Sequence, residues 1–164
     1  MFSIRFPDRL HLALLAALTQ WALAGTAADN HGPTPFTTQT WKHLVGSLPR
    51  PSAVVFSTTD CVHCPAVIEG LADDFQHQPK AKRGKLVVVV MDDAAPATIL
   101  GNAHFQKADR LYVFTGNEQA LRYTVSPGWR GLTPFVALLS GKREVRFHTG
   151  PLPLEEQRQF LQGR

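Results

Sequence analysis

The stretch KLVVVVM, Lys85 to Met91, constrains the fold of this chain more than any other. Leu86 to Val90 are all apolar and four of the five are β-branched, so a strand built from them has no face suited to water. Such a run belongs in the middle of a sheet covered by helices on both sides. Gly84 and Asp92-Asp93 bound it. A second run, SAVVFS from Ser52 to Ser57, has the same character.

Between and after these strands the period changes. Cys64, Ile68, Leu71 and Phe75 recur at steps of four, three and four, one face of a helix, with Asp73, Asp74 and Gln76 on the other side. The pattern predicts helices over Thr38–Leu48, Ala97–Lys107, Glu118–Tyr123 and Leu154–Gln162, and strands over Leu111–Thr115, Phe135–Leu139 and Glu144–His148. The last two strands form a hairpin turned at Gly141-Lys142. His31 to Pro35, with two prolines and a glycine, reads as an N-terminal lead-in. Alternating strands and helices that end in a hairpin and a helix predict a three-layer α/β/α domain on a mixed sheet.

The first 28 residues have a different composition. Arg5 and Arg9 precede an apolar run from Leu10 to Ala24, and small residues follow. A positive segment, an apolar core of about 15 residues and an Ala-x-Ala-like end predict a secretory signal, cleaved between Gly25 and Asp29, with an uncleaved anchor as the alternative. The mature domain, residues 29–164, is not expected to insert into a membrane. The formal net charge of +4 is modest, and its one local concentration, Lys80, Lys82, Arg83 and Lys85, reads as a solvated turn rather than a nucleic-acid surface.

The chain has only two cysteines, Cys61 and Cys64, three positions apart where the first apolar strand hands over to a helix. Residues so spaced at a helix start lie about 5 to 6 Å apart at Cα, within disulfide range. A crosslink that encloses only Val62 and His63 adds little stability, because the entropic benefit grows with loop length. Redox chemistry explains the pair better. Cys61 at the helix tip meets the partial positive charge that favours a thiolate, and Cys64, one turn deeper on the apolar stripe, is shielded. Cys61 is therefore expected to attack or be attacked, and Cys64 to resolve. A protonated His63 would favour the neighbouring thiolate and stabilise the reduced pair. Two alternatives stay open: a thiol-based copper(I) carrier, with His63 as a third ligand, and an inert local disulfide. Zinc is not expected, since His31, His43, His77, His104 and His148 are scattered singly. Asp73-Asp74 and Asp92-Asp93 read as helix-surface and strand-end acids.

A strand, then C-x-x-C, then further alternation, then Thr133-Pro134 leading into a hairpin and last helix, resembles the thioredoxin superfamily over residues 38–162. The inserted helix and strand of Asp92–Gly131 look like the exported, TlpA-like members, and VFSTTDCVHC is similar to the active-site approach of the periplasmic disulfide oxidases and isomerases. The resemblance implies a periplasmic thiol-disulfide oxidoreductase that needs no cofactor and no metal, acts on protein thiols or disulfides, and works with a redox partner protein. It implies Cys61 as nucleophile, Cys64 as resolving thiol and Pro134 as a cis-proline that turns the Thr133 backbone toward the disulfide. Trp129 and Arg130 would form a substrate-contacting rim, unless the tryptophan pins its own loop to the core. Asp60 stands where such proteins usually carry tryptophan, and Val55 and Val67 stand where a buried acid often assists proton transfer.

Overall fold

The computed structural model describes residues 33–141 and 144–162. The predicted signal segment lies outside the described residues, as does Lys142 of the predicted hairpin turn. Six strands form one sheet: β1 (Thr34–Phe36), β2 (Ser52–Ser57), β3 (Leu86–Val90), β4 (Arg110–Phe114), β5 (Phe135–Leu139) and β6 (Val145–Thr149), in the order β1-β4-β3-β2-β5-β6. The first four run parallel to one another, and β5 and β6 are antiparallel additions. The α-helices among the described residues are α1 (Thr38–Ser47), α2 (Cys64–His77), α3 (Pro96–Gly101), α4 (Glu118–Val125) and α5 (Leu154–Leu161).

Position in the sheet follows apolarity. The strands fully buried along their length are β3 and β2, the two at the centre, and β5 beside β2, while β1, β4 and β6 carry exposed residues. Side chains alternate across the sheet. Ala53, Val55, Val88, Val90 and Val136 pack with α2, Ile99, Phe105 and Phe160 on one face. Val54, Phe56, Val87, Val89 and Phe135 pack with Trp41 and Leu44 of α1 and Leu121 and Val125 of α4 on the other. The result is the expected three-layer α/β/α arrangement.

Two elements differ from expectation. The predicted lead-in contains β1, which pairs with β4 despite Pro35, because an edge strand tolerates a residue that cannot donate on its open side. The helix expected over Ala97–Lys107 is instead α3 followed by a separate 3₁₀ turn at Phe105–Lys107. Asn102 leaves helical geometry (φ −82°, ψ 113°), and the break lets both Ile99 and Phe105 bury against α2's side of the sheet.

Several local devices fix the helices. Thr37 and Thr40 cap α1 reciprocally, each side chain accepting from the other's backbone N–H. Asn117 caps α4 by accepting from Ala120 N–H at 2.8 Å. Pro65 occupies the first turn of α2, where its missing N–H costs nothing.

Candidate functional site

The cysteines lie at the end of the sheet where the parallel strands finish. After Ser57 the chain leaves β2 in a turn: Cys61 N–H donates to Thr58 O at 3.3 Å, and Cys64 N–H donates to Cys61 O at 3.3 Å. The sulfurs are bonded to each other, with the Cα atoms 5.4 Å apart. Cys61 is half-buried and Cys64 fully buried among Val67, Ile68 and their neighbours.

The helix does not begin at Cys61, as its position predicts, but at Cys64. Val62 and His63 are held in the turn that the Cys64 N–H closes on Cys61 O, so Cys61 stands one turn ahead of the helix. The predicted asymmetry survives the shift: the outer sulfur is reachable and the inner one is walled in. The first turn of α2 contains no acid, so nothing on the helix itself offsets the positive end of its dipole beside the sulfurs. His63 is exposed and makes no capping hydrogen bond.

The second loop at this end comes from β5. Because β5 is antiparallel to β2, with Phe56 opposite Phe135, the residues before β5 emerge beside those after β2. Thr133-Pro134 is a cis peptide, and Pro134 O accepts from Gly150 N–H at 2.8 Å. Thr133 makes no backbone hydrogen bond among the described residues, although it is only half-buried. Val62 and Leu132, 83% and 65% exposed, add apolar surface to the two loops.

Trp129 is largely buried, with only a margin left at the surface. It is 7% exposed, stacks on Phe135 with centroids 4.3 Å apart, and donates its indole N–H to Leu132 O at 3.0 Å. It belongs to the core on the sheet face opposite Cys64, so it pins its own loop. Arg130, next in sequence, is exposed and takes the outer position.

A residue read from sequence as a mere strand-end acid is tied to the site. Asp92, just past β3, accepts from Thr59 N–H with both carboxylate oxygens at 3.2 Å, and Thr59 Oγ1 donates to it as well. Thr59 is two residues from Cys61, so this latch holds the outgoing turn. The signal for it in sequence is weak: an acid and a hydroxyl, each just beyond an adjacent parallel strand. Val55 and Val67 are buried in the cluster that encloses Cys64. Among the described residues, no three His, Cys, Asp or Glu side chains gather as a metal site.

No family model matches the sequence, and neither does any curated protein. Solved structures do match. The chain is 14% identical to a secreted Mycobacterium tuberculosis disulfide oxidoreductase homologous to E. coli DsbE, with a TM-score of 0.52 over 71% of this chain and 84% of that one. It is 16% identical to a thioredoxin-related protein from Neisseria meningitidis serogroup B, TM-score 0.52, covering 71% and 87%. It is 15% identical to a thio-disulfide isomerase from Thermus thermophilus, TM-score 0.50, covering 72% and 81%. At these identities the likeness establishes the architecture.

Proposed function

We propose that this chain of thioredoxin-like fold is an exported thiol-disulfide oxidoreductase that exchanges disulfides with protein substrates through Cys61 and Cys64. The observation that carries the reading is the bonded pair itself: one reachable sulfur and one buried sulfur at the mouth of a helix, beside a Thr133 backbone with unspent hydrogen-bonding groups.

In the oxidising direction a substrate thiolate attacks Cys61 Sγ. The Cys61–Cys64 bond breaks, its electron pair moves to Cys64 Sγ, and that sulfur takes a proton from water. A second substrate thiolate then attacks the substrate sulfur of the mixed disulfide and expels Cys61 as a thiolate. Two electrons pass from substrate to protein, and the substrate gains a disulfide. The reverse sequence reduces a substrate. Thr133 pairs with the substrate backbone as an added strand, which orients the sulfurs for in-line attack. Cys61 is the attacked group in one direction and the attacker in the other, Cys64 resolves, and His63 biases the balance by its charge when protonated. A separate redox protein renews the pair after each turnover.

The test is exchange between the oxidised protein and a reduced, unfolded model protein, followed by alkylation and mass analysis. Loss of two hydrogens from the substrate with gain of two on the protein is the expected result; no exchange in either direction sinks the reading. Equilibration with glutathione buffers then fixes the direction of flow, since a potential above about −200 mV marks an oxidant and one near −270 mV a reductant. Export is tested by N-terminal sequencing of protein recovered from a bacterial periplasm, with a new terminus expected between Gly25 and Asp29.

A further inference from the structure

Beside the loop that leads to Thr133, helix α4 and residues 127–130 enclose an open cavity of about 340 Å³. Its wall combines Gln119, Arg122 and Tyr123 from α4 with Pro127, Trp129 and Arg130 from the loop. The donors on this wall are largely unspent. Arg130 and Gln119 are exposed, Tyr123 is 66% exposed, and none of the three side chains has a hydrogen bond or ion pair among the described residues. Arg122 is engaged with Glu118 at 3.3 Å, and the Trp129 indole N–H with Leu132 O. Its guanidinium also lies against Gly131, where a Cβ would come within 2.5 Å of Nη1. Gly131 has φ +86°, a geometry suited to glycine, and leaves room for that contact. The loop is therefore seated on α4, and the cavity lies between the two.

A larger cavity of about 430 Å³, lined by Phe75, Arg83 and Asp109 among others, lies near the opposite end of the sheet. There Arg83 and Asp109 are already used, and Lys107 is the one charged lining residue whose side chain has no partner among the described residues. Arg83 donates to the carbonyls of Gln76 and Gln78, and Asp109 binds the Lys85 ammonium and the Leu86 N–H.

We propose that the α4 cavity is an acid-recognising subsite for the protein substrate, a reading that rests on the exchange function proposed above. Arg130, Tyr123 and Gln119 offer a guanidinium fork, a hydroxyl and an amide, the donor set that fits a carboxylate, and Pro127 and Trp129 supply apolar wall for the methylenes that carry it. Arg130 precedes Thr133 by three residues, so a substrate backbone lying along Thr133 reaches the cavity in about 10 Å, or three to five residues. The preferred substrate thus carries aspartate or glutamate at that distance from the exchanging cysteine.

The experiment uses the full-length oxidised chain and cysteine peptides that differ only in one residue, glutamate, glutamine or lysine, placed four residues before or four residues after the cysteine. Each rate is normalised to the same sample's reduction by dithiothreitol, an uncharged reference. The glutamate peptide of one series is expected to react about three- to fivefold faster than its glutamine counterpart at low salt, and the advantage to shrink at high salt. Arg130→Glu should reverse the order and favour lysine, which a loop-packing role for Arg130 would not do. Equal rates for all six peptides, or an unchanged order in Arg130→Glu, overturns the proposal. If dithiothreitol reacts but no peptide does, or if even dithiothreitol fails, the exchange reading is what has failed. The cavity is then judged alone by fluorescence anisotropy of labelled glutamate and glutamine peptides with serine in place of cysteine, where equal affinities overturn it.

Discussion

The two ends of the sheet are built from similar parts and finished differently. Each has a cis X-Pro bond leading into a fully buried strand, Arg50-Pro51 before β2 and Thr133-Pro134 before β5. At the Pro51 end the polar groups close on one another: Lys85 N–H donates to Ser52 Oγ at 2.8 Å, Leu86 N–H to Asp109 Oδ2 at 2.8 Å, and Lys85 Nζ to Asp109 Oδ1 at 2.6 Å. Gly84 is pressed so closely to Pro51 that a Cβ would stand 1.8 Å from its carbonyl oxygen. At the Pro134 end the Asp92–Thr59 latch closes one turn, while Thr133's backbone has no partner among the described residues and Arg130, Val62 and Leu132 are exposed. Binding energy comes from groups the fold has not already used. One end of this sheet closes its polar groups on one another, and the other keeps groups with no partner among the described residues.

This contrast can be broken most directly at the cysteines. Cys64→Ser should end catalytic exchange and accumulate a stable mixed disulfide through Cys61, visible as a covalent adduct on non-reducing gels; an adduct-free variant that still turns over would remove the assigned asymmetry. Next in size, Gly84→Ala should cost about 1–3 kcal/mol in urea unfolding with the rate of exchange unchanged, because the added methyl forces backbone apart at the closed end. Impaired exchange at wild-type stability would mean that the two ends are not separate in function. A smaller loss, about 1–2 kcal/mol, is expected for Asp92→Ala, which strands the Thr59 donors. The same change should speed alkylation of Cys61 in the reduced protein by freeing its turn, and identical alkylation rates would show that the latch does not hold the sulfur.

The smallest expected effect concerns His104. Its pKa is lowered from the ordinary 6.5 by desolvation, partly countered by Glu69, and its Nε2 is buried without a partner among the described residues. The unfolded chain therefore binds a proton that the folded chain resists. That contribution to stability is fully present above pH 6.5 and is lost as the pH falls below it. Thermal midpoints at pH 7.5 and 5.5 should separate more in the wild type than in His104→Gln, and equal separations would show that His104 does not act this way.

Much of the architecture was legible because it depends on short-range pattern. The apolar runs of β2 and β3 are buried on both faces by necessity, and the stripe Cys64, Ile68, Leu71, Phe75 is buried as its spacing requires. The Cys61–Cys64 pair and the step at Thr133-Pro134 were legible as well, through motif and resemblance. What escaped depends on tertiary placement. β1 is only three residues long and contains a proline, so its pairing comes from an open sheet edge rather than from propensity. The break at Asn102 follows from the need to bury Ile99 and Phe105 together. Thr59 and Asp92 are 33 residues apart and meet only because β2 and β3 are neighbours. For Trp129 the sequence left two placements open, and only the face onto which its loop folds decides between them.

The valines at positions 55 and 67 have a kinetic consequence. When the bond opens, Cys64 is released into an aliphatic wall at zero exposure, where an anion is poorly solvated. The inner sulfur then has two inexpensive routes, to collect a proton arriving from the mouth or to rejoin its partner. A visiting chain should accordingly be held only briefly, and a clean hand-off depends on the visitor's own second thiol being close by.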